Sequence, residues 1–138
     1  MNCERKSKDF PKIGSVNIKL KSNMKNNEES RLQKNAISWF RLQYPKLTIY
    51  AIPNGGRRGK IEAAIMKGEG VLAGVADVFI SKPSGSYCGL YIEFKTATGR
   101  QSTAQKEFEN NATRDGYKYV VCRSLEQFID EANKYLRI

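Results

Sequence analysis

Glu93-Phe94-Lys95 sets a carboxylate and an ammonium two residues apart in an apolar run, Cys88 to Lys95 (CGLYIEFK), that reads as a β-strand. Successive strand side chains alternate faces, so Glu93 and Lys95 share one surface and Phe94 takes the other. An earlier apolar run, Val75, Val78, Phe79 and Ile80, holds Asp77. If the two strands pair as a hairpin in suitable register across the turn Lys82-Pro83-Ser84-Gly85-Ser86, Asp77 stands beside Glu93. Two hard oxygen donors so placed suit Mg²⁺ or Mn²⁺ that keeps several waters, and the Phe94 carbonyl is a further oxygen. Phosphodiester hydrolysis needs such groups: a metal to polarise phosphoryl oxygens and activate water, and a cation, here Lys95, to orient that water or offset charge.

Spacing alone does not establish this. With 14 acidic residues and 15 lysines in 138 positions, about 1.5 acid-x-Lys matches arise by chance. The chain has two, the other being Glu4-Arg5-Lys6 in a polar stretch. The bland alternative for Glu93 and Lys95 is the polar face of a half-exposed strand.

The whole chain favours a polyanion partner. It carries 24 Lys+Arg against 14 Asp+Glu, a formal charge of +10, in a length that suits one domain. The absence of histidine excludes His-based nucleophile activation, His-ligated zinc or haem, and the histidine nucleases. Cys3, Cys88 and Cys122 form no CxxC pair, so neither a disulfide framework nor a four-thiolate metal site is expected. No apolar stretch approaches the roughly 20 residues that span a bilayer, and the start, MNCERKSKDF, lacks the apolar centre of a secretory signal. The expectation is a reduced, soluble, cytoplasmic protein with no membrane partner. Its Gly-rich stretches match neither GxGxxG nor P-loop spacing, so no nucleotide cofactor is expected.

The elements that must position the candidate residues follow from periodicity and punctuation. Residues 1–27, rich in lysine and asparagine, read as a flexible basic arm or at best a short edge strand through Val16, Ile18 and Leu20; the domain is then 28–138. A first helix from Glu28 buries Leu32, Ala36, Ile37, Trp39 and Phe40 and ends at Tyr44-Pro45. Leu47 to Ile52 is a strand, stopped by Pro53-Asn54-Gly55-Gly56. Arg57, Arg58 and Lys60 follow, making Asn54 to Lys60 the densest candidate phosphate contact, although the segment also reads as a simple turn. A short helix, Ile61 to Lys67, precedes the hairpin. After a polar loop holding Gly99 and Arg100, a second candidate phosphate contact, Ser102-Thr103-Ala104-Gln105 has capping-box form and opens a helix that ends near Gly116. Tyr117 to Cys122 is the last strand, and Ser124 to Gln127 caps the final helix. Trp39, Phe40 and the tyrosines of YKYVVC read as core rather than base-stacking platforms. The fold class is α/β: a central mixed sheet of about four strands flanked by helices.

Five ordered blocks, Glu29-Ser30-Arg31-Leu32-Gln33, Ile52-Pro53-Asn54-Gly55-Gly56, Gly70 with Gly74-Val75-Ala76-Asp77, Ile92-Glu93-Phe94-Lys95, and Gly99 with Ser102 and Gln105, resemble the VRR-NUC family. That family is a branch of the PD-(D/E)xK nucleases with a restriction-endonuclease-like core, and the resemblance covers roughly residues 28 to 124. It implies that Asp77 and Glu93 bind a catalytic Mg²⁺ or Mn²⁺ and that Lys95 is the active-site lysine. It further implies that Gln105 is the motif glutamine and that Glu29 completes the metal environment through water. Gln105 also reads as a plain cap, and Glu29 as a helix-dipole partner. Ala76 stands where the family usually has proline, which bears on strand stiffness rather than on a ligand. The expected activity is metal-dependent DNA endonuclease cleavage. Stand-alone members resemble junction-resolving enzymes, which implies a homodimer on branched DNA such as a four-way (Holliday) junction, in a phage-borne replication or DNA repair setting. The competing reading is a basic nucleic-acid-binding module without catalysis.

Overall fold

The computed structural model describes residues 13–54 and 59–137, with side chains from residue 24 onward apart from that gap. Among them are four helices and four strands: α1 (Ile13–Gln43), β1 (Ile49–Ala51), α2 (Lys60–Gly68), β2 (Val78–Ile80), β3 (Leu90–Phe94), α3 (Thr103–Arg114), β4 (Lys118–Cys122) and α4 (Leu125–Leu136). The sheet order is β1-β2-β3-β4. β1 and β2 are antiparallel, as are β2 and β3, whereas β3 and β4, joined through α3, run parallel. A short connection joins the β2–β3 hairpin while α2 lies between β1 and β2, but a parallel pair needs a crossover, which α3 supplies.

The alternation of β3 divides the sheet into two faces. Leu90, Ile92 and Phe94 join Val78, Ile80 and Cys122 in a core closed by Ala36 and Phe40 of α1 and Phe128, Ala132 and Tyr135 of α4. On the opposite face Phe79, Tyr91 and Tyr117 stack, with ring centroids 4.5 Å apart for Phe79 and Tyr91, and Phe108 of α3 stands edge-on to Tyr91 at 5.0 Å. Asp77, Glu93 and Lys95 have the parity of this second face, so the polar site sits at its end rather than in the aliphatic core.

The expected strands, the hairpin and the last three helices form, with β1 and β2 shortened to three residues each so that Asp77 falls just before β2 rather than in it, but α1 corrects the reading of its beginning. The helix starts at Ile13 rather than Glu28, and Val16, Ile18 and Leu20 lie in it rather than in an edge strand. The same stretch holds Ile13, Val16, Leu20 and Met24 at helical 3-4-4 spacing, so two periods compete in a polar segment, and intrahelical hydrogen bonds need no apolar face to form. Residues 1–12 lie outside the described residues. No helix among the described residues is long and apolar enough to cross a membrane.

Candidate active site at the open end of the hairpin

The antiparallel ladder between β2 and β3 ends at Val78↔Ile92, and one step further its register places Asp77 opposite Glu93. Beyond the ladder, the Phe94 amide donates to Asp77 Oδ2 at 2.7 Å, so a side chain takes over where backbone pairing stops. On the other side, Ile52 N–H donates to the Asp77 carbonyl at 2.9 Å, and Asn54 Nδ2 donates to Asp77 Oδ1 at 3.2 Å. Asn54, expected to face phosphate, has its amide nitrogen turned to the first carboxylate.

Glu93 is 1% exposed. Gln105 Nε2 donates to its Oε1 at 2.6 Å, Lys95 Nζ lies 3.6 Å from the same oxygen, and the Tyr119 hydroxyl approaches Oε2 at 3.4 Å. Gln105 is also the capping-box partner of the N-cap Ser102: its Oε1 accepts from Ser102 N at 2.8 Å while its backbone N–H donates to Ser102 Oγ. The two readings of Gln105 are therefore one arrangement. Gly74 makes it possible, since with φ of +83° a Cβ there would stand 2.6 Å from the Ala104 carbonyl carbon. Only glycine lets the Gly74-Val75-Ala76-Asp77 segment pass so close to the first turn of α3.

Burial acts on both acids, and the charge of Asp77 acts on Glu93 as well. Burial raises the Asp77 pKa against the Phe94 amide, the Asn54 amide and Lys95, which lower it. Burial, then the charge of Asp77, pushes Glu93 up to about 8, with Lys95 and Tyr119 opposing. Burial also raises Tyr119, with Glu93 adding to the shift.

Glu29 accepts the Thr96 amide at 3.4 Å and borders two adjoining cavities, one reaching Lys95 and the other Asp77. Thus Asp77, Glu93, Lys95 and Gln105 converge, with Glu29 at the rim. For Phe94 it is the amide that makes a contact in the site, with Asp77. Lys60 and Arg100 are exposed, at the start of α2 and in the β3–α3 loop. Gly55, Gly56, Arg57 and Arg58 lie outside the described residues. Sequence reasoning missed Tyr119, assigned to the core, and Gln101, whose Nε2 reaches Glu109 Oε2 at 2.9 Å and Tyr119 Oη at 3.5 Å. Strand alternation gives Tyr119 the parity of Glu93 in the β3–β4 register, but only once that pairing is known.

Fold and site together define an α/β protein with a carboxylate pair, a lysine and a glutamine gathered at one end of a mixed sheet. Residues 25–126 match the VRR-NUC domain, and the chain belongs to that family, a nuclease-type domain family. A solved structure described as a VRR_NUC domain protein is similar at a TM-score of 0.69 and 29% identity, over 80% of this chain and 88% of that one. No curated protein matches the chain.

Proposed function

We propose that this protein is a metal-dependent DNA endonuclease that hydrolyses phosphodiester bonds, selects branched DNA and acts as a homodimer. The observation that carries the catalytic part is the placement of Asp77 opposite Glu93 at the end of the hairpin, with Lys95 Nζ 3.6 Å from Glu93. Branched DNA and the homodimer rest on the resemblance to stand-alone junction-resolving members.

The donor set fits Mg²⁺ or Mn²⁺. One hard carboxylate is buried and the other half-buried; desolvation opposes the ionised form of each, and the charge of Asp77 adds to this at Glu93, a situation that a divalent cation relieves. Among the described residues no three His, Cys, Asp or Glu side chains converge. Asp77, Glu93 and the Phe94 carbonyl would therefore hold an ion that keeps several waters, as Mg²⁺ does, with Glu29 acting through water. A metal bound there supplies Lewis acidity for a phosphoryl oxygen and a lowered pKa for attacking water.

The chain's own residues do the rest. Asn54 and the Phe94 amide fix the Asp77 carboxylate, while Gln105 and Tyr119 each hold one oxygen of Glu93, so neither acid needs to reorganise during reaction. Lys95 presents its ammonium on the same face, where it orients water or offsets charge gathering on the phosphoryl oxygens. The net charge of +10 draws in the nucleic acid.

The test is cleavage of labelled linear duplex, flap and four-way-junction DNA with Mg²⁺ or EDTA, by the wild type and by Asp77→Ala and Lys95→Ala, beside a binding titration. Metal-dependent cutting that both variants lose while still binding DNA is expected, with the junction cut fastest. Wild-type protein that binds every substrate and cuts none with Mg²⁺ or Mn²⁺ would replace this reading with that of a binding module.

A further inference from the structure

A polar cavity of about 340 Å³ lies beside the carboxylate pair, between α1 and the loop that follows β3, and its lining includes Glu28, Glu29, Arg31, Lys95, Thr96 and Arg123. Three cations against two acids leave that lining net positive. Glu29 is further engaged with the Thr96 amide and shared with the adjoining cavity that reaches Asp77. Arg123 is the unusual member. It follows the last residue of β4, and its Nη1 donates to both Thr96 O and Gly99 O at 2.7 Å, in continuation of the backbone rung from Lys95 N to Cys122 O. The guanidinium is thereby held rigid by one of its nitrogens while its remaining N–H groups have no partner among the described residues. Arg31, exposed on α1, makes no hydrogen bond or ion pair among the described residues.

A fixed arginine fork, a free arginine and the active-site lysine around one concave space form an arrangement suited to a tetrahedral anion. The volume is at the low end of the roughly 300 to 1,000 Å³ of small-ligand sites, enough for a phosphate with its sugar. We propose that this cavity is a phosphate subsite that takes a backbone phosphate next to the reacting one, with Arg31 and Arg123 sharing that single phosphate. This rests on the nuclease reading, and it assigns to Arg123 two tasks: pinning the loop after Lys95 and gripping the substrate. Because the fork is already immobile, less conformational entropy is lost when the phosphate arrives.

The test is fluorescence anisotropy of a labelled duplex in EDTA over a salt series, with wild type, Arg31→Ala, Arg123→Ala, the double variant, and Lys82→Ala in the turn at the far end of the hairpin. Each single variant is expected to weaken binding about 5- to 10-fold, uniformly across DNA sequences. The double variant is expected to lower the slope of log affinity against log salt by about one unit, as for one phosphate. Lys82→Ala is expected to change affinity less than about 2-fold. In Mg²⁺, Arg31→Ala should raise KM and leave kcat unchanged, which also guards against a folding defect in Arg123→Ala. Affinity and slope equal to wild type in both single variants, or a fall of two units in the double variant, would overturn the shared subsite. The nuclease reading fails separately, if wild-type protein shows these binding effects and cuts nothing with metal.

Discussion

The Gln105 side chain accepts the Ser102 amide at 2.8 Å and donates to Glu93 Oε1 at 2.6 Å, so the capping-box partner at the start of α3 also orients the buried carboxylate. Gln105→Ala is expected to lose about 1 kcal/mol of stability with its half of the capping box and, separately, about 10²-fold in kcat as Glu93 is left free to turn. Urea denaturation and single-turnover cleavage measure the two losses. Gln105→Glu keeps the cap acceptor but sets a carboxylate against Glu93, so it should be as slow as the alanine variant. A wild-type rate in either would detach Gln105 from the chemistry.

The raised acids make stability depend on pH in a definite direction. Glu93 in the folded chain holds its proton up to about 8, above its ordinary 4.5, and Asp77 is shifted the same way. Between those values the folded state binds more protons than the unfolded one, so stability present at low pH is lost as pH rises through the folded pKa. Metal-free protein is expected to become less stable in urea from pH 5 to pH 8, with a slope of up to about 1.4 kcal/mol per pH unit for each such proton. Glu93→Gln should flatten most of that slope, and Mg²⁺ should raise wild-type stability most at the alkaline end. A wild-type slope of opposite sign in EDTA is the adverse result.

Tyr119→Phe keeps the ring beside Phe108, whose centroid is 6.3 Å away, and removes only the hydroxyl near Glu93. The concentration of Mg²⁺ for half-maximal cleavage is expected to rise about 10-fold, with duplex binding in EDTA unchanged. Equal Mg²⁺ dependence in variant and wild type would return Tyr119 to a packing role.

Gly74→Ala combines a left-handed backbone with a Cβ 2.6 Å from the Ala104 carbonyl carbon. A loss of about 1 to 3 kcal/mol is expected from the strained backbone, and α3 must also move, carrying Gln105 away from Glu93. Urea denaturation gives the first figure, and the cleavage rate at saturating Mg²⁺ reports the second. Wild-type stability would show that the segment repacks freely.

The parts of this architecture that announce themselves in the chain are those set by local chemistry. Capping residues Ser102 and Ser124, the Tyr44-Pro45 stop and the glycines at 70 and 116 punctuate their elements, and these elements form where the punctuation places them. Alternation alone puts Glu93 and Lys95 on one face. The partnership with Asp77 needed a register, and the hairpin turn together with the apolar faces of β2 and β3 supplied it. Asn54, Tyr119 and Arg123 were not assigned these roles because each acts by reaching across to another element, a matter of side-chain length and orientation that no periodicity encodes. The long polar start of α1 was missed for the opposite reason: its few apolar residues satisfy two periods at once.

The hydrogen bonds of the site differ widely in the length of chain they close. Phe94 meets Asp77 across 17 positions and Gln105 meets Glu93 across 12, whereas Glu29 meets Thr96 across 67. Short loops cost less entropy to close than long ones, so the hairpin and the first turn of α3 can assemble the acid pair and its glutamine as a local unit. Docking of α1, which brings Glu29 and Arg31 to the rim, closes the longer loop and costs the more entropy. The acid pair and its glutamine are nearly contiguous in sequence, and the cavity beside them is what the long-range topology adds.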